Sequence, residues 1–241
     1  MRSYDHPRLI WFTRGQGRIT ISGVTRGYGP NNAVFLPAGT MHGFEMSGQV
    51  FGTVIDFPSD YSGQLPEKPL HLRVRDAIQQ GELNSHLDAF QRELMGDRPG
   101  RDDALNAHAA LIMIWLDRQL ALGSADAPPD NASRKLAVRF ARLVERDISA
   151  AKSVSDYAHE LGITPTHLSR VCNATSGKPA HALLSDRIMS EAQQLLSDSS
   201  QPIGKISGRL GYSSPAYFTR AFQRKTGLTP SAFRGRANAQ H

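Results

Sequence analysis

Apolar and polar positions follow two different rhythms along this chain. Over the first sixty residues the apolar positions form short runs and alternations broken by turn residues. RLIWFT (8–13) and RITIS (18–22) flank RGQG, whose glycines suit a hairpin turn. Ile19 and Ile21 alternate with polar neighbours, and NNAVFLPAGTMHGF (31–44) and QVFGTVIDF (49–57) add further short strands. This spacing predicts an antiparallel barrel or sandwich. Residues 58–70 carry three prolines and read as loop.

Beyond that loop the rhythm becomes helical. Residues 82–95 place Leu83, Leu87, Phe90 and Leu94 on one face. Residues 102–122 open on acidic side chains, which suit a helix N-terminus. They carry a broad apolar stripe of Ala104, Leu105, Ala109, Ile112, Leu116 and Leu120. A pair packed on both the strands and a second subunit would use that breadth; so would a helix buried against its own barrel. GSADAPPDNAS (123–133) reads as a linker. Helices are then expected at 134–149, 153–161, 165–175, 180–197, 203–210 and 215–225, with a final turn near 230–234.

Two of these segments repeat one plan. LGITPTHLSRVCNATSGKP (161–179) and LGYSSPAYFTRAFQRKTGLTP (210–230) align at a constant offset of 50 between 166 and 177. Leu168, Val171 and Cys172 map onto Phe218, Ala221 and Phe222 at i, i+3, i+4, one apolar face of a helix. Thr166, Ser169, Arg170 and Asn173 map onto Ala216, Thr219, Arg220 and Gln223, a separate polar stripe. Each copy follows a short helix (154–161, 203–210) and a glycine (Gly162, Gly211). Each then has a capping residue, Thr164 in one and Ser213 or Ser214 in the other, followed by Pro165 or Pro215. This is the helix-turn-helix plan, with the polar stripe free to enter a major groove. Between the copies, 180–197 reads as a stiff helix of about 27 Å, able to hold two reading helices about one DNA turn apart.

Charge supports the same half. Residues 1–125 hold 12 Lys and Arg against 13 Asp and Glu; residues 126–241 hold 16 against 9. The excess points to a polyanionic partner, nucleic acid before an anionic membrane surface. The longest apolar run, LIMIW (111–115), is far too short to span a bilayer, and the N-terminus lacks a signal-peptide pattern. One cysteine, Cys172, leaves no internal disulfide. A cytoplasmic protein is expected, with no membrane partner.

From 134 to 236 the chain resembles the AraC/XylS family of bacterial transcription regulators, most closely in GYSSPAYFTRAFQRKTGLTPSAFR. Ser207 departs from the small Ala usual there. The resemblance implies a transcription factor and not an enzyme, with double-stranded promoter DNA as partner, RNA polymerase as a further one, and no cofactor. It places Thr166, Ser169, Arg170, Asn173, Ala216, Thr219, Arg220 and Gln223 on bases, and Thr164, Lys178, Ser214, Arg224 and Lys225 on phosphates.

PAGTMH (37–42) fits the Pro-x-Gly-x-x-His pattern of cupin barrels. The expected fold is therefore α+β in two domains. The first, 1–125, is a cupin-like antiparallel β-barrel with a helical pair, sensing a ligand and forming a homodimer through 82–122. The second, 134–236, is an all-α double helix-turn-helix domain with a linker helix. Arg8, Trp11, Phe35, His42 and Phe44 are the candidate effector pocket. The branch of the family that YAHELGITPTHLSRVC resembles suggests a small organic acid, such as an aromatic one, as effector. His6 and His42 are the only histidines in the strand region, and with nearby Glu45 they would make a two-His, one-carboxylate facial triad, but the His-x-His motif of cupin metal sites is missing and no metal is expected. With no long arm ahead of the first strand, a switch that clasps the second domain through such an arm is not expected. The competing reading is a cupin-type metalloenzyme with an appended nucleic-acid-binding module.

Overall fold

The computed structural model describes residues 1–59, 61, 63–126 and 131–239. Residues 127–130 of the expected linker lie outside them. Seven strands come first: β1 (Arg8–Arg14), β2 (Gly17–Ile21), β3 (Val24–Tyr28), β4 (Asn32–Leu36), β5 (His42–Met46), β6 (Phe51–Asp56) and β7 (Leu70–Arg73). They form two antiparallel sheets, β6-β1-β4-β7 and β3-β2-β5, and not a closed barrel. Two helices follow, α1 (Ala77–Met95) and α2 (Arg101–Ala121).

The expected β1–β2 hairpin is absent, because β1 must be a central strand. Its consecutive residues Leu9 to Phe12 are all buried. Leu9 and Trp11 face the helices with Phe35, Leu83 and Trp115. Ile10 and Phe12 face the other sheet with Ile19, Ile21 and Val34. A strand buried on both faces reads as a continuous apolar run, and β1 accordingly pairs with β4 and β6 on either side. The hairpin of the chain is β2–β3, closed by Ser22 (φ 48°) and Gly23 (φ 77°). Positive φ at both central residues is the two-residue turn that matches strand twist. The stretch 31–44 breaks at Pro37–Met41, so β4 and β5 fall in different sheets.

The remaining elements are helical: α3 (Ala132–Arg146), α4 (Val154–Glu160), α5 (Pro165–Ser176), α6 (Ala180–Asp198), α7 (Ile203–Arg209), α8 (Pro215–Thr226) and α9 (Pro230–Asn238). One apolar cluster holds them together, with Phe140, Tyr157, Leu168, Cys172, Leu183, Ile188, Phe218 and Phe222 around α6. Met41, from the loop before β5, enters this cluster, and Met1 packs against it. A smaller cluster joins Val24 of β3 to Ala137 of α3 and Val171 of α5. The strand-rich and helical halves therefore share apolar contacts. Ahead of β1, Met1 touches the helical half.

Candidate nucleic-acid interface

Both repeats fold as the sequence repeat implies. Thr164 caps α5, its hydroxyl oxygen accepting from the His167 N–H at 3.2 Å. Ser214 caps α8 in the same way, accepting from Tyr217 N–H at 3.2 Å. Pro165 and Pro215 occupy the first turn, and each helix ends on a left-handed glycine, Gly177 (φ 73°) or Gly227 (φ 76°). The α7–α8 turn needs glycine for a second reason. A Cβ on Gly211 would lie 2.0 Å from Ser149 Oγ and 3.0 Å from the Ala151 nitrogen.

The two stripes separate. Leu168 and Cys172 on α5, and Phe218 and Phe222 on α8, are fully buried in the helical core. Thr166, Arg170 and Asn173 are exposed on α5, as are Ala216, Arg220 and Gln223 on α8; Ser169 and Thr219 are half-buried. Thr219 donates its hydroxyl to the Pro215 carbonyl at 2.9 Å. An Arg170 guanidinium N–H points to His167 Nδ1 at 2.9 Å, a positioning contact the sequence comparison missed. His167, which is half-buried, aligns with the exposed Tyr217; a polar or aromatic residue one turn before each arginine was the available signal.

The predicted phosphate contacts divide into two groups. Thr164 and Ser214 use a lone pair for capping and keep a hydroxyl proton to donate. Arg224 is exposed. Lys178 and Lys225 both reach Asp186 of α6, at 3.1 and 2.5 Å. Burial raises the Asp186 pKa, but bonds from Lys225 and Lys178 outweigh it and hold the carboxyl below its usual value. This shared partner draws the turn after α5 and the last turn of α8 to the same point on α6.

Other cations are also committed. Arg146 and Lys152 bind Asp147 and Glu160, tying the end of α3 to α4. Hydrogen bonds from Arg146 and Lys152 hold Asp147 well below the usual carboxylate range. Arg187, buried in α6, is held by Glu145 and Glu191. Lys205, Arg209, Arg220 and Arg224 make no ion pair among the described residues, so much of the free positive charge lies on the second motif.

The repeats differ on their third face. Val171 is buried beneath Val24, whereas its counterpart Ala221 is half-buried. Thr175 of α5 donates to the Gly23 carbonyl at 2.8 Å, and Thr25 donates to the Ser176 carbonyl at 3.3 Å. The β2–β3 turn thus grips the back of α5 and leaves α8 alone.

The five candidate effector residues do not meet in one cavity. Trp11 and Phe35 are core, between a sheet and the helices; Trp11 donates to Asn84 Oδ1 at 2.9 Å and meets Trp115 edge-on. Phe44 packs between the sheets against Phe12 and Tyr28. His42 is buried, with Nδ1 2.9 Å from the Thr40 carbonyl. Arg8 grips Asp56 and lies over the Tyr4 ring. His6 contacts Asp5 and Asp56, and Glu45 is exposed on the face of β5 opposite His42. His6, His42 and Glu45 therefore form no triad, and no cluster of three His, Cys, Asp or Glu among the described residues is able to hold a metal.

Residues 157–236 match the model of a helix-turn-helix domain. The arabinose operon regulatory protein of Salmonella typhimurium is 25% identical over 139 residues, 58% of this chain and 49% of that protein. Its counterpart in Escherichia coli is 28% identical over 140 residues, 58% of this chain and 47% of that one. Over this helix-turn-helix domain the chain is similar to transcription regulators of the AraC type. The regulator ExsA of Pseudomonas aeruginosa is 35% identical over 81 residues, 34% of this chain and 29% of its own. The chain spans about half the length of the arabinose regulators it matches. Among solved structures, an apo variant of ToxT from Vibrio cholerae aligns over 96% of this chain and 89% of its own, at 16% identity and a TM-score of 0.48. No helix among the described residues is long and apolar enough to cross a membrane.

Proposed function

We propose that the protein is a ligand-responsive, sequence-specific DNA-binding transcription factor. Residues 134–236 bind promoter DNA, with α5 and α8 entering two adjacent stretches of major groove. Thr166, Ser169, Arg170, Asn173, Ala216, Thr219, Arg220 and Gln223 read bases. Thr164, Lys178, Ser214, Arg224 and Lys225 hold phosphates, the two lysines after leaving Asp186. Residues 1–125 sense a small molecule and form the homodimer, for which Leu111 and Ile114, exposed on the outer face of α2, are the apolar contacts. RNA polymerase is a further partner.

One observation carries this reading: two capped helices of the same design, each anchored by a buried apolar face, present an exposed hydrogen-bonding stripe at the same positions. Major-groove recognition asks for that arrangement. The test is to pass sheared DNA of the source genome over the purified full chain and sequence what is retained at 150 mM salt. A few sharply enriched fragments are expected. Uniform retention across the genome would mean electrostatic binding without base readout.

A further inference from the structure

The largest cavity described lies outside the sandwich. It is a groove of about 950 Å³ between edge strand β6 and the α1–α2 pair. Its walls are apolar: Ile55 and Phe57 from the strand side, Leu87, Phe90 and Leu94 from α1, and Leu105 from α2. A few polar groups rim it, among them Tyr61, Gln91 and Asn106. That size and mixture are those of a small-molecule site.

The charge lining the groove is one-sided. Among the described residues its charged side chains are Asp56 and Asp102, and no Lys, Arg or His of these residues lines it. Asp56 is neutralised by Arg8. Asp102 is exposed in the first turn of α2 and has no partner among the described residues. The adjacent cation, Arg101, turns away and donates to the Glu93 and Leu94 carbonyls at 3.2 and 2.9 Å. A carboxylate ligand would lose its hydration beside an unpaired like charge; an ammonium or hydroxyl group would gain an acceptor there.

We propose that this groove is the effector site, and that its ligand is an elongated apolar molecule with a cationic or neutral hydrogen-bonding head, not a carboxylic acid. The inference rests on the reading of 1–125 as a sensor and replaces the pocket of Arg8, Trp11, Phe35, His42 and Phe44. The apolar body lies along Phe90, Leu94 and Leu105, and the head meets Asp102.

The test uses decylamine, decanol and decanoate, each below its micelle concentration, with the full-length protein. Thermal unfolding should shift upward with decylamine most, with decanol less, and with decanoate not at all. Asp102→Asn should bring decylamine down to the level of decanol. Gln91→Lys, at an exposed helical position, should make decanoate the best of the three. An equal or larger shift with decanoate on the wild type overturns the proposal. So does the absence of any shift, and so does a second copy occupying the groove, seen as a dimer that Leu94→Glu dissociates while decylamine has no effect. DNA retention is measured on the same preparations. Retention with no amphiphile shift sinks the groove and leaves the DNA-binding reading standing, and the converse separates the two the other way.

Discussion

The Asp186 carboxylate lies 2.5 Å from the Lys225 ammonium, and the same carboxylate binds Lys178 from the other repeat. Asp186 is largely buried in α6, so it holds two lysines off the phosphates they are proposed to meet. Asp186→Asn should release both. DNA affinity should rise at every salt concentration, because neither lysine must first give up a carboxylate to reach phosphate. Fluorescence anisotropy with a labelled duplex at several salt concentrations checks this.

Arg170 and Arg220 stand at equivalent positions on α5 and α8 and should each read a base. Replacing either by Ala should cost about 1–3 kcal/mol at a selected site and relax preference at one base step. Arg224→Ala should instead weaken binding to all sequences and flatten the salt slope by about 0.9. Competition between selected and random duplexes separates the two behaviours.

Ser207 is fully buried in α7, and its hydroxyl has no hydrogen-bond partner among the described residues. A buried hydroxyl without a partner costs about 1–3 kcal/mol. Ser207→Ala should therefore raise the stability of the full chain by about 1 kcal/mol, read as a higher urea midpoint at unchanged slope.

His42 and His71 are buried in the strand-rich half, and burial pushes each pKa down to about 4. His71 Nε2 lies 2.8 Å from Asn32 Oδ1; the second nitrogen of neither ring has a hydrogen-bond partner among the described residues, though His71 Nδ1 lies 3.9 Å from the Asp126 carboxylate. Neutral rings are the folded form, while the unfolded chain protonates near pH 6.5. Between about pH 6.5 and 4 the unfolded state binds more protons. The stability these two groups contribute is present above pH 6.5 and lost as pH falls through that window, with a slope of up to about 2.7 kcal/mol per pH unit for the pair. Urea melts from pH 4.5 to 7.5 check the sign, and His71→Gln should roughly halve the slope.

The helical half was legible in the sequence because its signals are local. Caps, prolines, closing glycines and a constant offset of 50 residues placed α5 and α8 to within a residue. The strand half was less legible because strand pairing is not local. RGQG resembles a hairpin turn, yet β1 buries both faces and needs a partner on each side. The true hairpin turn, Ser22–Gly23, and strand β3 were missed. The signal was there: a Ser–Gly pair four residues before a second Gly, in a stretch too polar to stand out. The effector residues were chosen as apolar or cationic side chains near strands, and alternation alone does not say whether a face meets a cavity or another layer. Trp11 and Phe35 meet α1 and α2, which no local pattern connects to β1.

The central claim is that α5 and α8 read one duplex together, and selection of binding sites from a random DNA pool tests it most directly. Repeated selection with the full chain should yield two conserved base blocks about 10–10.5 bp apart. Arg170→Ala should erase preference in one block and Arg220→Ala in the other. A single block, or two blocks at no fixed spacing, would contradict the claim.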